Sequence, residues 1–82
     1  DFDPAPVVED LHYSMYNGWT FWGYTDEELL ESTLASLSCE EMEIVKDFWS
    51  HKYDDSLRTW VIEDTSGDLK TRLLRMIDGT DC

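Results

Sequence analysis

The chain has 82 residues, a formal net charge of −13, and four tryptophans, four tyrosines and three phenylalanines. This length allows one hydrophobic core, and the charge argues against direct binding of nucleic acid or anionic lipid, because both are polyanions. The sequence contains no run of about eighteen apolar residues that could span a membrane.

The charge is unevenly distributed along the chain. No Lys or Arg precedes Lys46, whereas eleven of the nineteen acidic residues lie in residues 1–45. Three interpretations are open: a solvated acidic surface, a surface that binds cations, or a surface that binds a basic partner.

The first predicted helix follows an extended lead-in of residues 1–5. It starts at Pro6 and carries Val7, Leu11 and Met15 on one face at a spacing of four residues. Asn17-Gly18 is a typical C-terminal signal, so we expect the helix to end there.

An aromatic segment, residues 18–24, follows this helix. It contains Trp19, Phe21 and Trp22 between Gly18 and Gly23. The segment either folds back over the core and buries its rings, or forms an aromatic tip that contacts a membrane or a partner protein.

Four further helices are predicted from residues that cap helix N-termini. Two starts have the capping-box pattern, with a Glu three residues after a Ser or Thr, and Gly79 is the expected C-terminal residue of the last helix. No period-two alternation long enough for a strand is present, so we predict an all-α fold of five helices. The expected N-terminal residues are Thr25, Ser38, Ser56 and Ser66.

The turn at residues 64–68, Asp-Thr-Ser-Gly-Asp, also holds acids that could bind a hard cation. Asp64 and Asp68 either cap helices or contribute to an ion site. The two cysteines, Cys39 and Cys82, form one bridge or are free; we expect free thiols, and no structural zinc site.

The sequence from Tyr53 to Gly79 resembles a single annexin repeat. The matching features are Tyr53, Ser56-Leu57, the Asp-Thr-Ser-Gly-Asp turn, Leu73-Leu74 and a Gly-x-Asp exit. Thr25-Asp26-Glu27-Glu28-Leu29-Leu30 resembles the start of the family's second helix. The resemblance implies a compact five-helix annexin-repeat-like bundle over residues 6–79, with residues 80–82 as a tail.

The resemblance also implies a set of calcium ligands. In annexins, backbone carbonyls of a glycine-containing loop and a distant carboxylate bind calcium. Here Met15, Gly18 and Gly23 would lie on that loop, Asp64 would be the distant acid, and Thr25 and Glu27 would match a minor site. The loop is longer than in the family, and Asn17 stands near the position of its first glycine.

Two functions follow as hypotheses. The first is a calcium-dependent module that binds an anionic phospholipid surface, with Trp19, Phe21 and Trp22 near the headgroups. The alternative is a calcium-independent acidic module that binds a basic protein or mimics a polyanion. We do not expect an enzyme, since no catalytic pair has suggestive placement. We expect a cytoplasmic protein with peripheral membrane association, and self-association, because a lone repeat exposes faces that neighbouring repeats cover.

Overall fold

The computed structural model describes the backbone of residues 1–21 and 26–80, and the side chains of residues 1–15 and 26–80. Within these residues the chain forms five α-helices and no strand, which confirms the predicted all-α bundle. The helices are α1 Pro4–Phe21, α2 Glu27–Ala35, α3 Cys39–Tyr53, α4 Leu57–Asp64 and α5 Gly67–Asp78.

Helix α1 is longer than predicted at both ends. It begins at Pro4, where the Asp3 carboxylate accepts a hydrogen bond (3.1 Å) from the Ala5 N–H, and proline is well tolerated in a first turn. It continues to Phe21, so the predicted end at Asn17-Gly18 is wrong. A glycine inside a helix costs only about 1 kcal/mol relative to alanine, and this cost does not stop α1.

The capping predictions hold for α3 and α4 and shift by one residue for α2. Ser38 and Glu41 form a reciprocal capping box, with hydrogen bonds of 3.1 and 2.9 Å, and Ser56 caps α4. The N-cap of α2 is Asp26, whose carboxylate accepts from the Leu29 N–H at 3.2 Å. The predicted cap, Thr25, lies outside the described residues.

The C-terminal ends of α3 and α5 both use left-handed backbone. Gly79 has φ 71°, as expected for a residue without a Cβ, and this confirms the predicted end of α5. Asp54 adopts φ 55° at the end of α3. Aspartate tolerates this conformation better than most residues, since its short side chain can form local hydrogen bonds.

The core lies where all five helices meet. Helix α1 packs against α2 and α3, and α5 packs against α2 and α4. The Asp26 N–H also donates to the Ser14 carbonyl (2.8 Å), which holds the start of α2 against α1. Buried apolar side chains come from every helix: Val8, Leu11, Met15, Leu30, Leu34, Met42, Val45, Trp49, Leu57, Val61, Leu73 and Ile77.

One cysteine corrects a sequence-based expectation. Cys39, the first residue of α3, is disulfide-bonded, and the sequence has only one other cysteine, Cys82. The expectation of free thiols is therefore wrong. Cys39 and Gly79 line the same small cleft, so the start of α3 and the end of α5 lie close together.

Candidate functional site

The described members of the predicted calcium loop lie in helix α1. Met15 is a core residue, only 4% exposed, and Gly18 lies within the same helix. Backbone carbonyls inside an α-helix accept hydrogen bonds along the helix, so they do not converge on an ion as loop carbonyls do. The predicted loop position of Met15 and Gly18 is therefore wrong. Gly23 and Thr25 are outside the part of the chain that the structure describes.

The two predicted acidic ligands are exposed. Glu27 is the first residue of α2 and Asp64 the last residue of α4. Partial desolvation raises the pKa of the Asp64 carboxyl, and the neighbouring Glu63 carboxylate raises it further. Among the described side chains, those of residues 1–15 and 26–80, no group of three acids, histidines or cysteines is placed to hold a metal ion.

The predicted membrane or partner contacts fall at the edge of the description. The backbone of Trp19 and Phe21 belongs to the last turns of α1, while their side chains and all of Trp22 are outside the described atoms. Among the described helices, none has the length and apolar character that crossing a membrane requires.

Four aromatic side chains from three helices form a cluster, which we call the ring cluster: His12, Trp49, Tyr53 and Trp60. The His12 ring stacks on Tyr53, with centroids 4.7 Å apart and planes 11° apart. Trp49 meets Tyr53 at 4.5 Å and Trp60 edge-on at 5.3 Å. This cluster was not predicted from the sequence, although Trp49 and Tyr53 are spaced one helical turn apart, which places them on one face of α3.

Burial shifts the pKa values of two residues in the ring cluster. Desolvation lowers the pKa of His12, with a further contribution from the Lys52 ammonium. Burial raises the pKa of Tyr53, as does the Glu9 carboxylate. The Trp49 indole N–H is fully buried and has no hydrogen-bond acceptor among the described atoms. The cluster therefore joins α1, α3 and α4 through ring contacts and holds a buried indole N–H without an acceptor in the described part of the chain.

Several basic side chains are held in contacts within the fold. Arg72 donates two hydrogen bonds to the Glu31 carboxylate, at 2.9 and 3.3 Å. Arg58 pairs with Asp78 at 3.1 Å. Lys46 pairs with Glu43 at 2.7 Å and donates to the Ile77 carbonyl at 2.8 Å. These contacts place basic charge next to acids or a carbonyl of the same molecule.

Helix α1 presents an outward surface, which we call the α1 face: Pro6, Glu9, Asp10 and Tyr13. All four residues are exposed, and Tyr13 is 56% exposed. Because residues three and four apart are neighbours on a helix, the Glu9 and Asp10 carboxylates lie one turn before the Tyr13 ring. The face therefore combines two carboxylates with a large aromatic surface.

A small cleft lies between α2, α3 and α5. Its volume is about 270 Å³, and its wall is mainly apolar, with Leu34, Leu37, Met42 and Met76 among the lining residues. Pockets for drug-sized ligands usually hold about 300–1,000 Å³, so this cleft is at or below the lower limit.

The comparisons with known proteins give no relative. No family model matches the chain, nor does any curated protein or solved structure. The resemblance to an annexin repeat therefore remains a prediction made from the sequence.

Proposed function

We propose that the chain is a non-enzymatic, calcium-independent interaction module whose acidic surface binds a basic protein. The observation that carries the proposal is the use of basic side chains inside the fold. Lys46, Arg58 and Arg72 each contact an acid of the same chain, while the net charge is −13. A large excess of exposed carboxylates is left to face a partner.

The position of this excess supports a defined binding side. Helices α1 and α2 carry no Lys or Arg, and both expose acids, among them Glu9, Asp10, Glu27 and Glu28. A surface of one charge sign accelerates encounter with an oppositely charged partner and disfavours other polyanions. The same surface could occupy the basic face of a nucleic-acid-binding protein as a polyanion mimic.

The test is a binding titration with a lysine-rich peptide as the probe, followed by calorimetry. We expect binding at low ionic strength that weakens as salt screens the charges and does not change when EDTA is replaced by calcium. Glu27→Gln/Glu28→Gln should weaken binding, and Lys52→Gln, which removes an exposed positive charge, should strengthen it. Absence of binding at low salt, or binding only with calcium, would refute the proposal.

Calcium-dependent phospholipid binding is the second candidate, favoured by the end of α4. Glu63 and Asp64 are adjacent there, and the raised pKa of Asp64 reflects an environment that disfavours its negative charge. The C-terminus of a helix is itself a negative pole. A cation bound there would stabilise the charged Asp64 carboxylate, and this candidate assigns Trp19, Phe21 and Trp22 to contact with the lipid headgroups.

A pair of calcium titrations tests this candidate, one on the free protein and one with phosphatidylserine vesicles and sedimentation. The candidate is supported if weak calcium binding strengthens with vesicles. Asp64→Asn should abolish this binding, and Asp68→Asn should not. No heat and no pelleting would overturn it. Sedimentation velocity of the same samples would show whether the chain self-associates.

The disulfide bears on where the protein works. Disulfides persist in oxidising compartments and are rare in the cytosol, and Cys39 is disulfide-bonded. We therefore propose an oxidising compartment in place of the cytoplasmic location expected from the sequence. Thiol labelling of the protein recovered from its native source, without added reductant, tests this: an unlabelled chain supports it, and a fully labelled chain refutes it.

A further inference from the structure

We propose that the α1 face is a docking surface for an arginine-containing basic segment of a partner protein. The inference rests on the proposed function and names the part of the acidic surface that recognises the partner, and the partner's residue type. Tyr13 distinguishes this face from the other acidic surfaces. At 56% it is the most exposed of the large apolar side chains in the described part of the chain.

The side chains of the α1 face have no partner within the described residues. No ion pair or hydrogen bond occupies the Glu9 or Asp10 carboxylate there, and no ring or cation contacts Tyr13. The Lys52 ammonium lies 5.6 Å from the centre of the Tyr53 ring, in the ring cluster. Among the described residues, the α1 face is thus open on the side away from the core.

The chemistry of the α1 face matches that of an arginine side chain. A guanidinium group can stack on an aromatic ring and at the same time donate hydrogen bonds to carboxylates. The two acids at three and four residues before Tyr13 lie beside its ring on the helix surface. An ammonium group is a compact, strongly hydrated point charge and does not stack in this way, so lysine uses the carboxylates but gains less from the ring.

The start of α2 is a second acidic surface, and it differs from the α1 face. Helix α2 exposes Glu27 and Glu28 at its first turn, but Leu29 and Leu30 beside them are half-buried and buried. In the described structure α2 therefore offers carboxylates without an exposed aromatic ring. These two acids make a matched control with the same change in charge.

Oligoarginine and oligolysine peptides of equal length are the probes, titrated at low and physiological ionic strength. We expect the wild type to bind oligoarginine more tightly. Tyr13→Ala should reduce that affinity by about 2–5-fold, as for an exposed cation–π contact, and leave oligolysine nearly unaffected. Glu9→Gln/Asp10→Asn should weaken arginine binding several-fold more than Glu27→Gln/Glu28→Gln does.

The outcomes separate this inference from the function on which it rests. Equal affinity for the two peptides, equal losses for the two acid pairs, or no effect of Tyr13→Ala would overturn the α1 face as the docking surface and leave the acidic module intact. Absence of binding to either peptide at low salt would overturn both. Tyr13→Phe should keep the arginine preference, since it keeps the ring. For each variant, a circular dichroism spectrum and a melting temperature equal to those of the wild type exclude misfolding.

Discussion

Replacing Trp49 by phenylalanine removes a buried indole N–H that has no acceptor among the described residues, and keeps an aromatic ring in its place. Two effects then oppose each other. The smaller ring buries less apolar surface and leaves a small void, which destabilises the fold. The loss of a buried donor without an acceptor removes an existing penalty, which stabilises it.

The two magnitudes are similar. The substitution removes about three ring atoms, two of them carbons, at about 0.8 kcal/mol for each buried carbon group, or about 2 kcal/mol with the void. An unsatisfied buried polar group costs about 1–3 kcal/mol. The net change in the free energy of unfolding should therefore be within about 1 kcal/mol of zero. By contrast, Leu73→Ala, at a site that is 0% exposed and without a polar group, should cost about 2–5 kcal/mol.

Denaturant unfolding followed by far-UV circular dichroism measures both variants. A chain of this size has a free energy of unfolding of about 4–12 kcal/mol, so a change of about 1 kcal/mol can be measured. Such a change shifts the melting temperature by about 4–8 °C. A loss of 3 kcal/mol or more for Trp49→Phe, with an unchanged denaturant slope, would show that the indole N–H has a partner in solution. The reasoning from an unpaired donor would then be refuted.

Three further predictions concern pH, redox state and capping. Because the pKa of His12 is lowered from 6.5, the unfolded chain binds its proton first; stability should fall as pH decreases below 6.5 and level off below the folded pKa. Denaturant midpoints across pH should show this slope, and a slope unchanged in His12→Phe would contradict it. Reduction of the disulfide should lower the free energy of unfolding by about 2–5 kcal/mol. A melting curve that reductant does not shift would argue against the bond at Cys39. The Cys39→Ser variant is the control, because reductant should not change its melting temperature. Ser38→Ala removes the capping box with Glu41 and should lower the free energy of unfolding by about 0.5–2 kcal/mol, as measured by thermal melting. Ser32→Ala, on the surface, should change it by less than about 0.5 kcal/mol. Equal effects of the two substitutions would contradict a capping role for Ser38.

The sequence predicted the features of the fold that depend on local chemistry. The Ser38–Glu41 box, the Ser56 cap and the Gly79 end are short-range patterns, and the structure confirms each. The shift of the α2 cap to Asp26 is a choice between two adjacent residues that both cap well. Such choices depend on the route of the preceding chain, which a local pattern does not specify.

The features that the sequence did not predict depend on tertiary contacts. The spacing of Leu11, Met15 and Trp19 continues the apolar stripe of α1 beyond Asn17-Gly18, but a glycine at this place also favours a helix end, and the local pattern does not decide between the two. The disulfide at Cys39 requires the start of α3 and the end of α5 to meet, and only the packed bundle brings them together. The calcium site predicted at Met15 and Gly18 assumed a loop that the longer helix replaces.

The ring cluster gives the protein an optical signal of its tertiary structure. Its rings belong to α1, α3 and α4 and are held at defined angles, 11° between His12 and Tyr53 and 80° between Trp49 and Trp60. Fixed aromatic groups in an asymmetric environment produce near-UV circular dichroism, which is lost when packing loosens while helices persist. The near-UV spectrum therefore reports the docking of α4 against α1 and α3 separately from helix content, so a partly loosened state would be visible as helices without this signal.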